Sequence, residues 1–177
     1  MYLSMMVFEE CLAEYHPRMI GHSDLIKIKF MGVQEAMEGQ EYLPDHMLLE
    51  HVEYFVSHPV PAAWGCLCIG EPPEDLFKNN ICLIFPENTD RTRLYHDVQK
   101  IFFLYNSWEM EIRKAMQRNA TLEEMCNLCI PIFEKPIFIH DRNNELLAIA
   151  NEMAGQFSWQ YDETVSYTHL TLPTIRL

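Results

Sequence analysis

The sequence predicts a mixed α/β protein: a small N-terminal α/β domain, a long connecting helix and the start of a second α/β domain. Three observations carry this reading. Gly65-Cys-Leu-Cys-Ile69 and Ile81-Cys-Leu-Ile-Phe85 are apolar on both faces and bounded by Gly, Pro and Asn, as strands covered on both sides are. From Asn88 to Arg118 there is neither Gly nor Pro, and Leu94, Val98, Ile101, Tyr105, Trp108, Ile112 and Ala115 alternate in spacing between four and three, a heptad-like stripe. Past Ala120 the pattern becomes a capped helix followed by two short strands.

Taken in order, Ser4 can cap a first helix whose Phe8, Cys11, Leu12 and Tyr15 share one face. His16-Pro17 ends it, because the residue before a proline avoids the helical region. Leu25–Met31 alternates Ile26, Ile28 and Phe30 against Lys27 and Lys29, the pattern of a half-buried edge strand. Glu38-Gly39-Gln40 reads as a turn. His46–Val52 fits a strand or a short helix, and Tyr54–His58 a helical piece stopped by Pro59 and Pro61. The link Gly70–Asn80 is close to the minimum for a parallel crossover, with one helical turn at Glu74–Phe77. Asn88-Thr89-Asp90 offers caps for the long helix, about 42 Å at 1.5 Å per residue, longer than a small sheet can cover. Asn119-Ala120 breaks it. Thr121-Leu-Glu-Glu124 is a capping box for a helix over roughly Leu122–Phe133, ended at or shortly after Pro131. Pro136–His140 and Glu145–Asn151 read as strands, joined by a turn at Asp141-Arg-Asn-Asn144. The domains expected are therefore residues 1–88, a connecting helix over 89–119, and a second domain from 120 to 164.

The chain has 177 residues, 49% apolar and 22% charged, a globular composition. Its 26 acidic and 13 basic side chains leave a net charge of −13. That excess opposes a phosphate backbone, which needs clustered Lys and Arg. The apolar runs Ile81–Phe85 and Leu146–Ala150 fall far short of the ~20 residues of a membrane helix. Glu9 and Glu10 interrupt the opening apolar run and no basic segment precedes it, so no signal peptide is expected. Six cysteines without an export signal read as reduced thiols, and the expectation is a soluble cytoplasmic protein.

The closing stretch Val165-Ser-Tyr-Thr-His-Leu-Thr-Leu-Pro-Thr174 resembles the translated read-through of a transposase-based sequencing adapter. The final Ile175-Arg-Leu177 would then come from a sample barcode. Residues 165–177 are accordingly expected to be an artefact, idle on the fold, with the natural gene continuing beyond Thr164.

Two further stretches resemble the sensor half of PucR-type transcription regulators of Clostridia-like bacteria, relatives of the sugar-diacid regulator CdaR. They are VQKIFFLYNSWEMEIRKAMQRNATLEEMCNLCIPIF (Val98–Phe133) and EKPIFIHDRNNELLAIANEM (Glu134–Met153). In such regulators a long helix leads to a short capped helix, and a hairpin then opens a PAS- or GAF-like sensor domain. Pro136, Ile137, Ile139, Asp141 and Leu147-Ala148 stand at the positions of that hairpin. The N-terminal part, with its Gly65–Ile69 and Ile81–Phe85 strands, is similar to the family's leading α/β domain. The resemblance implies a DNA-binding helix-turn-helix further along, which this sequence does not contain.

Candidate chemistry is sparse. Cys126-x-x-Cys129 has the spacing of a redox or half-zinc motif, but it falls inside a predicted helix beside Leu122, Met125 and Ile130, where packing is the better reading. Cys66, Cys68 and Cys82 sit in apolar strands and read as core, with a tri-cysteine metal site across adjacent strands as the sharp alternative. His16, His46, His51, His58 and His96 are scattered. His46 and His51, with Glu50 and Glu53, flank one element without an H-E-x-x-H or H-x-H spacing. His140-Asp141 lies at a hairpin turn, where Asp sets the turn or contacts a ligand. Asn119-Ala-Thr121 fits a glycosylation sequon that a cytoplasmic chain never presents to the enzyme. Phosphate-cradling glycine loops and the nucleophile-elbow pattern do not occur.

The expectation is therefore a non-enzymatic sensor fragment, with no metal and no cofactor. Its partners would be a small-molecule effector, a second copy bound through the long helix, and DNA only through the missing C-terminal domain; no membrane is expected. Two rivals stand beside it: a thiol-based metal or redox protein, and the same sensor front end attached to another signalling output.

Overall fold

A computed structural model of the chain describes residues 1–21, 23–37, 39–133 and 137–150. These form two compact units, Met1–Ala120 and a second beginning at Thr121. Glu38 of the expected turn, Pro136 of the expected strand, and residues 151–177 with their adapter-like tail lie outside the described residues.

The first unit runs β1 (Leu3–Ser4), α1 (Met5–Cys11), β2 (Arg18–Gly21), β3 (Lys29–Phe30), β4 (Gly32–Glu35), β5 (His46–His51), α2 (Val52–Ser57), β6 (Gly65–Ile69), β7 (Ile81–Phe85) and α3 (Arg91–Gln117). Its main sheet has the order β2-β7-β6-β5-β4. β4 to β7 are mutually parallel, while β2 pairs antiparallel with β7. β1 and β3 make a small antiparallel pair of their own.

Both apolar runs are central strands with every residue buried, as strands covered on both faces must be. The pleat sends alternate side chains to opposite faces. One face carries Met47, Leu49, Leu67, Ile69, Leu83 and Phe85 and packs against Phe8 of α1 and Leu94, Val98, Ile101 and Phe102 of α3. The other carries Leu48, Cys66, Cys68, Cys82 and Ile84 and packs against Phe55 of α2 and Phe77 of the crossover.

α3 is uninterrupted for 27 residues. Asp90 accepts a hydrogen bond from the Arg93 amide at 2.9 Å and caps it. Asn119, in the left-handed region at φ 54, closes it, and the Ala120 amide bonds the Ala115 carbonyl at 2.9 Å. Every residue of the heptad-like stripe is buried or half-buried, while Phe103 on the opposite side is 75% exposed.

Three local expectations are corrected. Leu25–Met31 is not one strand: Ser23–Lys27 is a 3-10 turn and only Lys29–Phe30 pairs as a strand. The Ile28 amide bonds the Leu25 carbonyl at 2.9 Å, and these two residues, three apart, share a packed face while Ile26 points outward. Burial is satisfied by a period of three, not two. Cys11 is exposed rather than on the apolar face, because α1 stops there and gives way to a 3-10 turn at Ala13–Tyr15. Ser4 has the extended backbone of a cap, but its hydroxyl makes no capping bond.

The second unit, as described, is α4 (Leu122–Phe133) followed by the antiparallel pair β8 (Ile137–His140) and β9 (Leu146–Ala150). Its capping box closes in both directions: Thr121 Oγ1 accepts from the Glu124 amide at 3.2 Å, and Glu124 accepts from the Thr121 amide at 3.0 Å. α4 continues two residues past Pro131, which lacks the amide that would bond the Asn127 carbonyl. Its own small core is Cys126, Ala148 and Ala150, with Ile130, Ile137 and Ile139 against them. No helix among the described residues is long and apolar enough to cross a membrane.

Candidate functional site

In open sheets of parallel strands, ligands settle at the carboxyl ends of the strands, where loops and helix N-termini converge. Here those ends are Glu35, His51, Ile69 and Phe85, and α3 begins beside them at Arg91. Arg91 hydrogen-bonds a carboxylate oxygen of Glu50 and stands 3.5 Å from Glu35. The second Glu50 oxygen accepts from the His51 amide at 2.9 Å. Glu50 is only 12% exposed, so this is the least solvated carboxylate of the rim's ion pairs, and one guanidinium serves both acids.

Across the rim, β2 delivers Arg18 to Glu71, which follows β6. A cleft of about 250 Å³ opens there between Arg18, Glu71, His16, Phe85 and Glu87. Further along α3, Asp97 gathers Tyr15 at 2.6 Å, Lys100 at 2.7 Å and Arg93 at 3.7 Å. The Lys100 and Tyr15 hydrogen bonds hold the Asp97 carboxyl below its usual range. Burial and the bond to Asp97 push the Tyr15 phenol up to about 12. Arg93 also lies over the Tyr15 ring at 5.6 Å, and that ring meets Phe85 edge-on. The rim thus gathers charges of both signs, paired with one another within the chain.

The structure brings Cys66, Cys68 and Cys82 together on one face, with Cys66 and Cys82 directly paired in register. Burial pushes the Cys66 and Cys82 thiols well up, so both stay protonated. Cys82 donates toward the Leu83 carbonyl at 3.6 Å and Cys68 toward Gly70 at 3.8 Å. The six cysteines form no disulfide with one another, and no group of three or more His, Cys, Asp or Glu among the described residues is arranged to hold a metal ion.

The described histidines take part in no metal-type cluster. His46 and His51 occupy opposite ends of β5, roughly 16 Å apart at the strand rise. Nδ1 of His46 is buried without a hydrogen-bond partner, its ring lying against Gly32. His58 stacks on Tyr54 with ring centroids 4.3 Å apart. His16 borders the cleft, and His96 on α3 meets Tyr95 edge-on. At the hairpin turn, one Asp141 oxygen accepts from the Asn143 and Glu145 amides, each at 2.8 Å, while His140 Nδ1 lies 3.2 Å from the Asn144 carbonyl.

Reading the sequence alone missed the rim. Glu35 and Arg18 belong to short strands without a marked pattern. The available signal was positional: Glu50-His51 ends an apolar run, and Arg91 directly follows the Asp90 cap. Compared with family models, with curated proteins and with solved structures, the chain finds no match.

Proposed function

We propose that the chain is the sensor side of a PucR-type transcription regulator, with no catalytic role of its own. The observation that carries this is the order of parts. A unit built on a mixed, mainly parallel sheet ends in an unbroken 27-residue helix, and a capping-box helix then feeds an antiparallel hairpin with its own core. The quoted resemblance implies that same succession. An effector small enough for the charged rim biases one of two conformations of the first unit, and α3, whose first turn carries Arg91, passes the bias along the chain. DNA contact falls to a helix-turn-helix outside residues 1–177, consistent with the acidic charge of the chain in hand.

The test is to recover, from the source DNA, the coding sequence downstream of the Thr164 codon. The expected result is a frame that completes a PAS- or GAF-like domain and then encodes a helix-turn-helix. A frame that runs instead into a cyclase, kinase or hydrolase domain overturns the reading.

A further inference from the structure

We propose that Cys126 and Cys129 form a redox-modification site: a low-molecular-weight disulfide of the glutathione class closes the pair to an intrahelical disulfide, which loosens the β8–β9 hairpin. The proposal rests on α4 and the hairpin alone and is independent of any regulator assignment.

The two thiols differ in access. Cys126 is 2% exposed and packs under β9 against Ala148 and Ala150. Cys129, one turn on, is half-exposed, and its thiol donates to the Met125 carbonyl at 3.3 Å. Burial pushes the Cys126 thiol up, and the neighbouring Cys129 and Glu123 add to it. Cys129 is therefore the entry point and Cys126 the resolving thiol.

The chemistry balances without a further oxidant. The Cys129 thiolate attacks one sulfur of the small disulfide, forming a mixed disulfide and expelling one thiolate. The Cys126 thiolate then attacks Cys129 Sγ and expels the second. Two protein thiols are oxidised, one disulfide is reduced, and the two protons pass to the departing thiolates.

Geometry makes the closure feasible but not neutral. Residues three apart on an α-helix hold their Cβ atoms about 5–6 Å apart, while a disulfide needs about 3.5–4.5 Å. The turn must tighten toward 3-10 geometry, where such residues eclipse. α4 is weakest at that place, because Pro131 withholds the amide that would bond the Asn127 carbonyl. Tightening draws Cys126 away from Ala148 and Ala150. The core of this unit has only those three buried residues among the described ones, so losing one loosens the hairpin.

The experiment treats the full chain at about pH 8.5, near a free thiol's pKa, with glutathione disulfide, then alkylates remaining thiols and maps peptides. The expected product is a Cys126–Cys129 disulfide carrying no glutathione. Amides of Leu146–Ala150 should then exchange with deuterium on the order of tenfold faster, returning to baseline with dithiothreitol. Cys129→Ser should abolish both effects, and Cys126→Ser should trap glutathione on Cys129. Cys11→Ser removes the exposed thiol of the other unit and should change neither readout. A stable glutathione adduct on Cys129 beside a free Cys126, or a closed disulfide with unchanged hairpin exchange, overturns the proposal. Should Cys126→Ser not fold, Cys129→Ser, at a half-exposed position, still decides it.

Discussion

Gly65→Ala should destabilise the first unit by about 2 kcal/mol. A Cβ built on Gly65 would stand 2.3, 2.5 and 3.0 Å from three atoms of the Phe30 ring. Carbon atoms in contact prefer about 3.5–4.0 Å, so the ring would have to withdraw by about 1 Å or more. Phe30 is fully buried in the cluster formed by the sheet, α1 and α3, and has no open side to move into. Overpacking of this kind costs about 1–3 kcal/mol, and this contact belongs at the upper end. Replacing glycine in a strand returns about 0.5–1 kcal/mol, which gives the net figure. Urea unfolding followed by tryptophan fluorescence, to which Trp64 beside Gly65 contributes, measures it. The decisive comparison is Phe30→Leu, which removes the distal ring atoms. Alone it should cost stability; combined with Gly65→Ala it should show a favourable coupling of about 1 kcal/mol or more. A Gly65→Ala protein within about 0.5 kcal/mol of the parent, or a strictly additive double mutant, refutes the contact.

Two further outcomes follow from the charged groups. Asp97 is held below its ordinary carboxyl pKa, so its contribution is present above about pH 3.9 and lost as pH falls through the folded-state value. Tyr15 is raised to about 12, so its contribution is complete below about pH 10 and lost between there and 12. Tyr15→Phe should therefore lessen the slope of the alkaline limb of stability against pH, to which the raised Tyr42 and Tyr105 also contribute, and Asp97→Asn that of the acid limb; an unchanged profile in either variant contradicts the pairing. Arg91→Met removes the cation shared by Glu50 and Glu35 and should cost about 1–3 kcal/mol in urea unfolding, and adding Glu50→Gln should recover most of it. Failure of that second change to recover stability contradicts the shared-cation reading.

What was legible in the sequence, and what was not, divides on physical lines. The strands Gly65–Ile69 and Ile81–Phe85 coincide with their apolar runs because burial on both faces leaves no polar residue to blur them. α3 was legible from a stripe too long to arise in a loop, and the Thr121–Glu124 box from a local hydrogen-bond exchange that needs no tertiary context. β2 and β4 were not, because four-residue strands at sheet edges owe their existence to a neighbour's free backbone groups, not to their own side chains. The same holds for the rim. Arg91, Glu50 and Glu35 are far apart in sequence, and only the parallel register of β4 and β5 brings their ends to one place.

Arg91 joins the rim to α3. It sits in the first turn of α3, directly after the Asp90 cap, and holds the ends of β4 and β5. The next three turns of the helix are locked onto the sheet by Leu94, Val98, Ile101 and Phe102. Beyond Phe102 the burial is thinner but continues through the half-buried Tyr105, Trp108 and Ile112 to the buried Ala115; the Met1 ammonium reaches Asn106 and Glu109, and Arg113 on Glu109 at 2.6 Å and Lys114 on Glu111 at 2.8 Å add local pairs. Propagating a helix from an anchored nucleus is far easier than starting one, so the firmly packed first half helps keep the second half formed. The second half has no glycine or proline at which to bend. The ion pairs on the distal half are exposed and screened by salt, so high ionic strength should fray α3 from its C-terminal end while leaving the turns on the sheet intact.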